Sequence, residues 1–169
     1  MPKLRCRQAE LNVLAGRYEY DTFNLGKLRP KVLSQGFLTK DDLRVAAKWK
    51  SPRSAIHIEK NTDTYVKEIS KIALSTKEKR TRIEVLTLLN GVQWPTASVI
   101  LHFFHRSRYP IIDFRALWTV SMEVPDQYSF DYWWQYLGYC RALAKKSKLS
   151  MRELDQALWQ FSKENQEPV

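Results

Sequence analysis

The chain has only two cysteines in 169 residues, Cys6 and Cys140. Two thiols so far apart build neither a disulfide framework nor a four-cysteine zinc or iron–sulfur site. They are expected as free thiols, with Cys140 in the core. Five glycines and seven prolines are too few for a turn-rich all-β fold of this length. No apolar run approaches the roughly 18 residues needed to cross a bilayer. The start, MPKLRCRQAE, has no apolar signal core. A cytoplasmic setting without a membrane partner is expected.

What the chain does contain is aromatic and basic. Aromatic residues make up 12% of it, six of them Trp and eight Tyr, within an ordinary 44% of hydrophobic residues. Its length suits one domain able to bury a core without staples. The net charge of +10 is unevenly placed. Residues 1–112 hold 21 Lys/Arg against 10 Asp/Glu, whereas residues 113–169 hold 7 against 8. A field of one sign over two thirds of a chain suits a polyanion, which such a surface binds by neutralising phosphates and releasing counterions. The same charge also serves solubility alone.

Periodicity is helical throughout, and no alternating strand pattern of useful length occurs. Residues 5–20 can form a helix presenting Leu11, Leu14 and Tyr18. Phe23 to Phe37 reads as loop, broken by Gly26, Pro30 and Gly36. Thr39, followed by Asp41 and Asp42, opens a helix running to about Trp49, and Ser51-Pro52 breaks it. A further helix begins near Arg53. The next starts at Asn61 or Thr62 and carries Tyr65, Ile69, Ile72 and Ala73. Ser75 and Glu78 have capping-box spacing ahead of Ile83, Leu86 and Leu89.

Asn90-Gly91 ends that apolar stretch, and Pro95 suits the first position of the helix that follows, burying Ala97, Ile100, Leu101 and Phe104 to about His105. After a loop through Pro110, Asp113 opens a helix with Ala116, Leu117 and Val120. Two longer helices close the chain, one from Ser129 to about Lys146 and one from the capping box Ser150/Glu153 to about Lys163. The tail 165–169 is expected to fray.

Residues 86–101, Leu-Thr-Leu-Leu-Asn-Gly-Val-Gln-Trp-Pro-Thr-Ala-Ser-Val-Ile-Leu, form the most informative segment. They read as helix, tight hairpin, helix, with Val92 plugging the junction. Such a bend leaves the N–H groups around Gly91, Gln93, Trp94 and Thr96 without helical partners, at the positive end of the second helix. That arrangement suits one phosphate and reads no sequence. An ordinary helical hairpin is the alternative.

Leu89-Asn90-Gly91-Val92, with Thr96-Ala97, resembles the Leu-Pro-Gly-Val-Gly-x-x-Thr-Ala signature of the helix-hairpin-helix DNA glycosylases. Tyr109-Pro110-Ile111-Ile112-Asp113 resembles the element that carries that family's catalytic aspartate. Asp113 follows Pro95 by eighteen residues, the spacing between hairpin lysine and aspartate in members of the endonuclease III type. The resemblance covers about Leu86–Val120. Trp-Lys-Ser-Pro-Arg at 49–53 and the segments around Tyr132–Tyr136 and Leu154–Trp159 extend it more weakly.

The resemblance implies an all-α, two-lobed fold. One lobe spans about 1–35 plus 125–169, the other about 36–124 with the hairpin at 86–105. It further implies a DNA glycosylase that binds double-stranded DNA across the cleft between them and excises a damaged, mismatched or modified base through Asp113. Gly91, Val92, Gln93, Trp94 and Thr96 would contact DNA at the hairpin, with Lys48 and Arg53 on phosphates. In a bacterium this places the protein at the nucleoid.

Asn90 replaces the usual Pro, and Gln93 replaces the second hairpin Gly. Pro95 stands where bifunctional members carry a Schiff-base lysine, so the resemblance is to the monofunctional branch, such as the 3-methyladenine glycosylases. No iron–sulfur cluster, metal or other cofactor is expected; His102 and His105, three apart on one helix, lack a third ligand nearby in sequence. The competing readings are a module of the same fold that only docks on DNA, and a helical adaptor with a basic face.

Overall fold

The computed structural model of this chain describes residues 1–167; of the tail expected to fray, Pro168 and Val169 lie outside the described residues. In chain order its helices are α1 (Leu11–Gly16), α2 (Phe23–Gln35), α3 (Lys40–Lys50), α4 (Pro52–Ala55), α5 (Asp63–Ser75), α6 (Lys79–Glu84), α7 (Trp94–Phe104), α8 (Phe114–Thr119), α9 (Phe130–Ser147) and α10 (Met151–Asn165). Short 3-10 turns at Gln8–Glu10, Ile56–Lys60 and Val85–Leu88 join them. The fold is all-helical, with no strand among the described residues. No described helix is long and apolar enough to cross a membrane.

Two compact units divide the chain. One comprises Met1–Tyr20 and the residues from Pro110 onward; the other is Asp21–Tyr109. The boundaries lie fifteen residues before the expected 35 and 124. Residues 21–35 contain α2, which packs on α3 and α7, and residues 110–124 contain α8, which packs on α10. The units also divide the charge: 21–109 holds 17 Lys/Arg against 8 Asp/Glu, and the rest holds 11 against 10.

In the unit 21–109, α7 is the central element. Every residue from Thr96 to Phe104 is buried, as expected of a helix apolar on all sides. Thr39 caps α3 through a closed capping box with Asp42. Asp42, 2% exposed, also receives Lys31 Nζ at 2.8 Å, so its buried charge is paired.

The segment expected as loop, 23–37, is largely the helix α2. Pro30 lies within it and deprives the Gly26 carbonyl of its helical donor. Tertiary contacts outweigh that loss. Leu25 and Val32 are buried, and the Arg29 guanidinium donates to the carbonyls of Phe103, His105 (3.0 Å) and Arg106 (3.3 Å) at the C-terminal end of α7. A cation there meets the negative helix end. Gly36, at φ +78°, terminates α2.

Two smaller expectations are also corrected. Ser75 does not cap α6: it ends α5 and donates to the Lys71 carbonyl, while Glu78 is the cap. The buried stripe of α5 is Val66, Ile69, Ser70 and Ala73, leaving Tyr65 and Ile72 exposed. Thr62 fixes the start of the helix, and Ser70 accepts the Leu38 N–H at 2.9 Å.

In the other unit, α10 packs against α1, α8 and α9. The helix expected over 5–20 is shorter, a 3-10 turn and α1, because the chain before it is extended: Lys3 N and Arg5 N donate to the Val120 and Thr119 carbonyls. Trp133, Tyr136 and Cys140 of α9 are fully buried, and Tyr136 Oη donates to the Ile111 carbonyl at 3.0 Å.

Candidate functional site

The hairpin of the unit 21–109 is set by Gly91. Its φ is +80°, a region that costs L-residues with a Cβ. A Cβ would also stand 2.8 Å from the Ser54 carbonyl oxygen and 3.2 Å from Ile58 N. Glycine is therefore required twice, by backbone conformation and by the close approach of α4 and the turn after it. Val92 is 0% exposed and its N–H closes on the Leu89 carbonyl at 3.1 Å, so it plugs the junction as expected.

Asn61 holds this bend from outside, and the sequence reading missed it. Its Nδ2 donates to the Asn90 and Ile58 carbonyls, each at 3.0 Å, and its Oδ1 accepts the Asn90 N–H at 2.9 Å and Asn90 Nδ2 at 3.2 Å. One buried side-chain amide thus grips both sides of Asn90, twenty-nine residues away. The contact accounts for Asn in place of Pro at 90: a proline there would have no N–H to donate.

Past the bend the chain runs into α7. Among the described residues no hydrogen bond takes up the N–H of Gly91, Gln93 or Trp94. Gln93 precedes α7 at φ −100° and ψ 174°, extended backbone in which any residue fits, so its Cβ needs no reshaping of the hairpin. Gln93 is exposed, Trp94 half-buried and Thr96 buried. Pro95 is the second residue of α7, where its missing N–H costs nothing. Arg53 is exposed on α4, next to the Ser54 carbonyl that abuts Gly91, and Lys48 is exposed near the end of α3.

Asp113 belongs to the other unit. It is the N-cap of α8, in extended conformation, and its Oδ1 accepts the Arg115 N–H at 2.9 Å. Its side chain is half-buried, neither sealed in the core nor fully in solvent. In the same unit a cluster of aromatic and cationic side chains surrounds Trp159. The Arg115 guanidinium lies 5.5 Å from the Trp159 ring, and Trp159 meets Tyr18 edge-on at 5.3 Å. Tyr20 stands 5.8 Å from Trp159.

The Asp113 charge is felt by neighbouring phenols. Burial pushes Tyr18 up to about 12; Arg152 opposes the rise, and Asp155 and Asp113 add to it. Tyr128 is raised by burial and then by Asp113. Burial likewise raises Cys6 to about 11 and drives Cys140 higher. Both cysteines are free, Cys140 fully buried as expected.

Comparison with family models finds no match, and comparisons with curated proteins and with solved structures find none.

His102 is fully buried, with Nδ1 2.6 Å from the Tyr109 carbonyl oxygen. Among the described residues no group of three or more His, Cys, Asp or Glu side chains is placed to hold a metal ion. Trp133 and Tyr136 are core, and Trp134 is 37% exposed.

Proposed function

We propose that this protein is a monofunctional DNA glycosylase of the helix-hairpin-helix type, with a two-lobed fold, acting on a damaged, mismatched or modified base in double-stranded DNA. The observation that carries the reading is Asp113. At the position the sequence resemblance assigns to the catalytic aspartate stands a half-buried carboxylate with a fixed backbone, whose charge reaches the Tyr18 and Tyr128 phenols.

The chemistry follows from charge. Water bonds to the anomeric carbon as the glycosidic C–N bond breaks, its electron pair leaves with the base nitrogen, and the sugar passes through an oxocarbenium-like state. A carboxylate about 4 Å from that positive charge, at an effective dielectric near 20, is worth roughly 4 kcal/mol, about a thousandfold in rate. Asp113 also takes the proton that the attacking water loses. The base must first leave the stack, at a cost of a few kcal/mol. The hairpin supplies a sequence-independent grip, through the N–H groups of Gly91, Gln93 and Trp94 on a phosphate. Pro95 offers no amine, so the product is an abasic site and not a broken strand.

The second reading is a non-catalytic module that docks on DNA through the same hairpin. It is favoured by the Arg115 N–H bond of Asp113, which is a complete structural role for a helix cap. One assay separates the two. Duplexes carrying uracil, hypoxanthine, 8-oxoguanine, alkylated purines or mismatches are incubated with protein and treated with hot alkali. Strand breaks only after alkali, absent with Asp113→Asn, support the glycosylase; breaks without alkali contradict the monofunctional assignment. Salt-sensitive binding with no breaks on any duplex supports the module.

A further inference from the structure

At the end of α7 opposite the hairpin, the unit 21–109 contains a cavity of about 410 Å³. That is within the roughly 300–1,000 Å³ of small-molecule sites. Val32, Leu74 and Phe104 form apolar wall, and Lys77, Arg82 and Arg106 bring cations to it; none of its lining residues is acidic. The three cations have no carboxylate partner among the described residues.

Arg82 is the informative member. Its guanidinium is half-buried and held in one orientation: one terminal nitrogen donates to Tyr109 Oη at 2.6 Å, the other to the Thr76 carbonyl. Its Nε is buried with no hydrogen-bond partner. All its partners are thus neutral. A half-buried cation without a counter-charge is costly, and each terminal nitrogen keeps a second N–H that a phosphate oxygen can accept. The neighbouring Lys77 and Arg106 add charge without adding an acid to compete.

We propose that this cavity binds a phosphate monoester, with Arg82 as the anchoring cation and Lys77 and Arg106 closing over the oxygens. The site is distinct from the hairpin and from Asp113. A phosphate monoester comes from a free mononucleotide or from a terminally phosphorylated DNA strand, and the cavity chemistry serves either.

The test is backbone-amide NMR of the full chain at constant ionic strength. Titrants are inorganic phosphate, a nucleoside monophosphate, and the same oligonucleotide duplex with and without a terminal phosphate. Saturable shifts at Thr76, Lys77 and Arg106 that sulfate-free chloride does not reproduce are expected. Arg82→Gln should weaken them by at least about tenfold. Where Arg82→Gln perturbs the fold, the double variant Lys77→Gln/Arg106→Gln, at two exposed positions, should weaken them several-fold. Shifts with phosphate and mononucleotide identify a free ligand, and shifts confined to the phosphorylated duplex identify a DNA end. Absence of saturable shifts with every titrant, or shifts unchanged in both variants, overturns the proposal.

Discussion

Asn61 and Asn90 are joined by three hydrogen bonds: Asn61 Nδ2 donates to the Asn90 carbonyl, and Asn61 Oδ1 accepts the Asn90 N–H and Asn90 Nδ2. This pairing, rather than the hairpin's own turn bonds alone, holds the bend in place. Asn61→Ala would leave the Asn90 N–H and the Asn90 and Ile58 carbonyls without this partner. The expected loss is about 2–3 kcal/mol, read by urea denaturation, together with weaker DNA binding. An unchanged unfolding midpoint would contradict the role.

Gly91→Ala places a methyl group 2.8 Å from the Ser54 carbonyl oxygen at a φ of +80°. Backbone strain of this kind costs on the order of 1–3 kcal/mol. Because the obstruction is backbone, the hairpin itself must shift. DNA affinity is expected to fall more than stability alone explains, measured by anisotropy under conditions where the variant is fully folded.

Asp113→Asn retains an oxygen that accepts the Arg115 N–H, so stability should change by less than about 1 kcal/mol. Base excision should fall by about a hundredfold or more, with DNA affinity preserved. Excision at the parent rate would remove Asp113 from the chemistry.

The charge of the unit 21–109 gives a salt test. If Arg53 and Lys48 each neutralise one phosphate, Arg53→Gln and Lys48→Gln each lower the slope of log affinity against log salt by about one. The effect should be the same for any DNA sequence. A slope unchanged in both variants assigns them to solvent.

Alkaline pH should destabilise the fold. Tyr18 and Cys6 keep their protons in the folded chain up to about 12 and about 11, against ordinary values of 10.0 and 9.0. Above the ordinary values the folded state therefore binds more protons than the unfolded one, and stability falls as pH rises. Denaturation midpoints should be flat near neutrality and drop from pH about 9 upward. Cys140, buried and raised further, should resist alkylating reagents until the chain unfolds.

Legibility in the sequence tracked how local each cause was. Thr39/Asp42, Ser150/Glu153, Ser129 and Asp113 act within three residues of themselves, and each caps the helix expected of it. Ser75/Glu78 has the same spacing but fails, because the Ser75 hydroxyl is engaged by the Lys71 carbonyl of the preceding helix. The helix α2 was hidden by Gly26, Pro30 and Gly36, of which only Gly36 acts as a terminator.

Of the candidate site, the hairpin bend and the capping role of Asp113 were readable from residue type and spacing. Asn61 was not, since its function depends on a contact twenty-nine residues away. The cation-lined cavity was equally hidden, drawing its cations from the α5–α6 turn, α6 and the chain after α7.

The Arg29 clasp has a consequence for how the unit comes apart. A single guanidinium is shared among three carbonyls at the tail of α7, so the tail of α7 cannot fray without stranding that cation in a partly dry place. Conversely, melting α2 strips the central helix of its terminal seal. The least helix-like stretch of the sequence is thereby tied to the most buried one, and the two are expected to open together, as one protected block in amide hydrogen exchange.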